Sequence, residues 1–124
     1  MFEGFEYECD PRLETVVNQF YNEAYQRGVL VHKDRLIIRI GQLNTTANCV
    51  KTYQGCTITV NESFFRHGNP DPVAMQYIVF HEFGHYIGRD HNDSFSIMNP
   101  NVYAATFKND TVARKQLIDE LFMK

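Results

Sequence analysis

No stretch of this 124-residue chain approaches the ~20 consecutive apolar residues that a membrane-crossing helix needs. Its first ten residues, MFEGFEYECD, are acidic and lack both the basic n-region and the apolar h-region of a secretory leader. The chain is therefore expected inside a cell as written, or secreted if a leader has been removed. An excess of positive charge is missing too. A net charge of −3 and a pI near 5.9 provide no basic face for nucleic acid, and no block of like charge marks a tail. Repeats, linkers and low-complexity segments are absent. Residues 1–124 are thus expected to form one domain and a monomer, without nucleic-acid or membrane partners. Its 44% hydrophobic content is enough for one modest core.

Cysteine is scarce, and three thiols leave the redox compartment open. Cys49 and Cys56 bracket a turn at Gln54-Gly55 and could face each other across it. A disulfide and two small buried thiols both remain open. Cys9 alternates with Phe5 and Tyr7 in what reads as a short half-buried strand.

What the chain does have is clear periodicity. Asp10-Pro11 opens a helix running to Gly28, with Leu13, Val16, Val17, Phe20, Tyr21, Ala24 and Tyr25 on one face. Leu36–Ile40 reads as a buried strand, and Asn48–Tyr53 with Cys56–Val60 as a hairpin. Residues 61–71 read as a loop, and His67 and the earlier His32 as surface histidines. A second helix begins at Asp71-Pro72, an N-cap followed by a proline whose missing N–H costs nothing there. It is apolar nearly all round, as a helix through the middle of a small domain must be. Gly84 inside it costs about 1 kcal/mol against alanine, which points to close approach of another backbone. Residues 92–108 read as irregular, and Asn109-Asp110-Thr111 can cap a last helix from Val112 to about Met123, with Ala113, Leu117 and Leu121 inward.

The second helix carries the chemistry. His81-Glu82-Phe83-Gly84-His85-Tyr86-Ile87-Gly88-Arg89-Asp90-His91 is a complete HExxHxxGxxH string. His81 and His85 stack one turn apart and can grip one metal ion. Gly88 permits a left-handed exit from the helix, bringing His91 back toward the same ion. Chance assembly of the whole string is roughly one in 10⁵ or rarer for a chain of this length. Three imidazoles leave a fourth position open on Zn²⁺, whereas a structural site would close it. Glu82, next to His81, can then take a proton from a metal-activated water as general base, an effect typically worth about 10²–10⁴ in rate. Asp90 and Asp93 could orient the histidines, but they read more simply as solvated loop carboxylates.

Met98, within Ser96-Ile97-Met98-Asn99-Pro100, stands seven residues beyond His91, and Tyr103 three beyond the proline. From His81 to Tyr103, about a fifth of the chain, the sequence resembles the metzincin clan of zinc endopeptidases, most closely the matrix metalloproteinase (matrixin) branch. It departs from matrixins at Asn92 (usually serine), at Asn99 (usually aromatic), in a gap to Met98 about one residue shorter, and in Tyr103 falling one place later. The resemblance implies an α+β zincin fold: a small twisted mixed sheet of about four strands, two helices including the motif helix, a methionine turn and a C-terminal helix. It also implies zinc on His81, His85 and His91, Met98 as a hydrophobic floor, and Tyr103 as a hydrogen-bond donor or a wall of the pocket following the scissile bond. A matrixin-like latency role for Cys9 and a bound calcium are further implications, though no acidic loop here has calcium-ligand spacing.

The leading expectation is a zinc-dependent endopeptidase that binds peptide or protein substrate as an extended strand along a sheet edge. Its alternatives are a zinc-binding interaction module that does not cleave, and a zinc hydrolase of non-peptide amides.

Overall fold

A computed structural model describes residues 7–100 and 103–123. The described chain is α+β: a four-stranded mixed sheet with four α-helices. Strand β1, Tyr7–Cys9, is parallel to β2, Leu36–Gly41; Phe5 of the expected first strand lies outside the described residues. The hairpin of β3, Ala47–Thr52, and β4, Gly55–Asn61, is antiparallel, and β4 runs parallel to β2. Sheet order is therefore β1-β2-β4-β3, which leaves β3 on an edge.

Between β1 and β2 lies helix α1, Glu14–Gln26. Asp10 caps a short 3-10 turn, Pro11–Leu13, that leads into it, so the helix proper starts later than Asp10-Pro11 suggests. The expected loop 61–71 contains another 3-10 turn, Glu62–Phe65, capped by the Asn61 side chain. Helix α2, Pro72–Tyr86, begins as expected: Asp71 accepts from the Val73 N–H.

One correction concerns residues 92–108, which are not all irregular. Helix α3, Ala104–Asn109, lies within them. It has no side-chain N-cap, so no local signal announces it. Tertiary contacts hold it instead: Phe107 is fully buried edge-to-face against Tyr77, and Lys108 pairs with Asp71 at 3.0 Å. Helix α4, Thr111–Leu121, follows with Asp110 accepting from the Val112 and Ala113 N–H groups. Ala113, Leu117 and Leu121 face inward as expected.

Phe20 of α1 joins the helices. It stacks on Phe83 of α2 at 4.3 Å between ring centroids and also meets Phe80 and Phe122. Beneath them, Leu36, Ile38, Ile58 and Val60 supply the buried face of the sheet. Arg27 ties α1 to α4 through Asp119 at 2.6 Å. Because Val79, Phe80, Phe83 and Gly84 are all buried, α2 is clamped on several sides, and its remaining face carries the histidines. No described helix is long and apolar enough to cross a membrane.

Candidate metal centre

His81 and His85 project from α2 one turn apart, as their spacing requires. The helix then ends at a glycine. Gly88 adopts φ +99°, its N–H bonds the His85 carbonyl at 3.0 Å, and the Arg89 N–H bonds the Gly84 carbonyl at 2.8 Å. These are the paired hydrogen bonds of a Schellman ending, which turns the chain back sharply. His91 is carried back by that turn. Its Nε2 stands 3.1 Å from Nε2 of His81 and 3.1 Å from Nε2 of His85.

The far side of two rings fixes which nitrogen is free. Nδ1 of His81 donates to the Ile97 carbonyl at 2.8 Å, and Nδ1 of His85 to the Arg89 carbonyl at 2.9 Å. A carbonyl can only accept, so the proton of each neutral ring sits on Nδ1 and the Nε2 lone pair faces the cluster. Burial also holds both imidazoles below their ordinary pKa, favouring the neutral form that binds metal. Nitrogens sharing one tetrahedral ion at ~2.1 Å stand about 3.4 Å apart, within a few tenths of an ångström of the 3.1 Å found. The trio, all within 4.8 Å of one another, can hold a metal ion; its donor set and spacing fit one. Asp90 and Asp93 are exposed, and the orienting role considered for them is filled by backbone carbonyls at His81 and His85.

Met98 packs against α2 at Gly84, in a turn fixed by its own hydrogen bonds. The Ser96 hydroxyl accepts from the Met98 N–H, the Met98 carbonyl accepts from the Asn92 N–H, and Asn99 Nδ2 donates to the Ser94 carbonyl. Fully buried, the methionine sulfur occupies the space a side chain at position 84 would need, with Leu121 Cδ1 close behind. The glycine inside α2 therefore makes room for a side chain, not for the second backbone expected of it.

Glu82 is 7% exposed, and burial alone pushes its carboxyl up to about 7. With His91 it lines two recesses, His81 joining the first and His85 the second. One, of about 240 Å³, is bounded by Thr45, Thr46, Tyr77, Ile78 and Pro100. The other, of about 530 Å³, runs along Asn48, Cys49 and Lys51. The β3 edge strand and the loop before it thus form the wall facing α2. None of this wall was picked out as site-forming from sequence, and no local motif marks it. Tyr77 could have been found, since it lies one helical turn before His81; its hydroxyl donates to the Asn99 carbonyl at 3.3 Å. Tyr103 packs its ring edge-on to Phe95 at 4.9 Å and precedes α3.

The remaining expected residues fall elsewhere. Cys9 is in β1, at the opposite edge of the sheet from β3, and donates weakly to the Asp10 carbonyl. His32 and His67 are exposed and outside the cluster. Cys49 and Cys56 are free thiols with sulfurs 3.0 Å apart. Comparison of the chain with family models, curated proteins and solved structures finds no match. The reading of the site accordingly rests on its geometry.

Proposed function

We propose that this protein is a zinc-dependent endopeptidase of metzincin type, nearest in its motif to the matrixins. The observation that carries the reading is Glu82. A metal-binding module needs the three histidines, but it has no use for a carboxylate next to them, buried at a cost in solvation. A base whose pKa sits near the working pH suits proton transfer.

His81, His85 and His91 would hold the zinc through Nε2, the first two kept in place by the Ile97 and Arg89 carbonyls. When bound, zinc supplies Lewis acidity, bringing a water's pKa toward about 7 and polarising a carbonyl. Glu82 accepts a proton from water at its carboxylate and passes it to the leaving amine. An extended peptide adds to the free edge of β3, whose only partner among the described strands is β4. Its side chains enter the two recesses beside the trio. Tyr103, packed on Phe95, is the candidate pocket wall or hydrogen-bond donor.

The test is a peptide-library digest comparing wild type, Glu82→Ala and chelated protein. Cleavage by the wild type alone, with Glu82→Ala still carrying zinc, is the expected result. Equal cleavage by wild type and Glu82→Ala contradicts the assignment. Zinc in both with cleavage in neither favours a module that binds without cutting.

A further inference from the structure

The wall opposite the histidines contains the one close pair of thiols among the described residues. Cys49 on β3 pairs in register with Ile58, and Cys56 on β4 with Lys51, so the two cysteines are diagonal neighbours across the ladder. Cys56 and Ile58 are both buried, which puts the pair on the core side of the hairpin. Their sulfurs are 3.0 Å apart, and closing to a bond at about 2.05 Å needs a shift of only ~1 Å.

Each cysteine borders an opening. Cys49 lines the larger recess with Glu82 and His85, and Cys56 borders a separate solvent-open recess of about 220 Å³ beside Asp34, Lys51 and Tyr86. A small oxidant has a route to the pair from outside the cleft. We propose that Cys49 and Cys56 form a reversible dithiol–disulfide couple that ties the β3 edge strand to β4 along the cleft wall.

The chemistry balances with a peroxide as oxidant. The Cys56 thiolate attacks one oxygen of hydrogen peroxide; the S–O bond forms as the O–O bond breaks, giving a sulfenic acid and hydroxide. The Cys49 thiol then attacks that sulfur, the S–S bond forms, and the sulfenic oxygen leaves as water. Two electrons pass from the thiols to the peroxide. Donation from the Cys49 thiol, together with nearby Lys51, holds the Cys56 thiol below its ordinary pKa and favours it as the first nucleophile. A bridged β3 has less freedom to rise from β4, so the wall of the cleft stiffens.

The experiment treats the full chain with equimolar hydrogen peroxide, alkylates it, and maps peptides by mass. Trypsin cuts after Lys51, between the two cysteines, so a bridge leaves two peptides joined. The expected result is a loss of two hydrogens, a Cys49–Cys56 linked pair, Cys9 alkylated, and the two bridged thiols recovered with dithiothreitol. The oxidised chain should also melt higher than the reduced one, by roughly 5 °C or more, and Cys56→Ser should abolish the difference. Full alkylation of Cys49 and Cys56 after peroxide, bridging to Cys9 instead, or a bridged chain that melts no higher overturns the proposal. The readout is thiol chemistry and does not depend on whether the cleft cuts peptides.

Discussion

The two walls of the cleft are built differently. On the α2 side, buried packing and backbone carbonyls fix the ligand rings: Ile97 and Arg89 orient His81 and His85, and Met98 fills the space at Gly84. On the β3 side, an edge strand has half-buried or exposed side chains at every position. Metal ligation tolerates errors of a few tenths of an ångström, so its wall must be over-determined. Under the proposed function the opposite wall would receive a peptide, which needs unpaired backbone and tolerance of varied side chains. Substitutions should therefore act strongly on one side and weakly on the other.

The largest effect should come from the ligands. His85→Ala should reduce bound metal from about one ion per chain to near none after dialysis, read by elemental analysis. Retention of one ion would break the comparison at its base.

Next is the buried carboxylate. Its pKa is raised to about 7 from 4.5, so the fold prefers the neutral acid. The stability that this preference contributes is complete below about pH 4.5 and is lost as pH rises through about 7. In chelator, Glu82→Gln should exceed wild type in stability at pH 8 by up to about 3 kcal/mol, and by little at pH 4. Urea midpoints would check this, and a difference that is the same at both pH values contradicts a desolvated carboxyl.

Arg89 tests the support behind His85. Its guanidinium donates to the Glu120 and Leu121 carbonyls and pairs with the Glu120 carboxylate at 2.7 Å, fastening the post-motif turn to the end of α4. Arg89→Ala should cost about 1.5–3 kcal/mol by denaturant unfolding and weaken metal binding. An unchanged metal affinity would show that the turn holds His91 without that clamp.

Gly84→Ala gains about 1 kcal/mol in helix propensity but overpacks against Met98, which costs about 1–3 kcal/mol. A net loss is expected, and in a double-mutant cycle Met98→Ala should recover at least about 0.5 kcal/mol of it. Smallest of all, Val50→Thr on the exposed edge strand should stay within about 0.5 kcal/mol and leave metal binding unchanged.

The same contrast explains what the sequence could disclose. The α2 side was readable because its signals are local: the Asp71-Pro72 start, the one-turn spacing of His81 and His85, and the αL exit at Gly88. The strands and α1 were readable from periodicity, with ends displaced by a few residues. Contacts between distant segments were not readable. The partner of Gly84 is a methionine fourteen positions away, and α3 exists because Phe107 and Lys108 find Tyr77 and Asp71. The edge position of β3 depends on strand order, which the alternation within a strand cannot convey.

X-ray absorption at the zinc edge of the loaded wild-type chain tests the central claim most directly. Three imidazole nitrogens at roughly 2.0–2.1 Å, one further light oxygen scatterer and no sulfur are the predicted result. A sulfur scatterer near 2.3 Å, or a shell with fewer than three imidazoles, would contradict it.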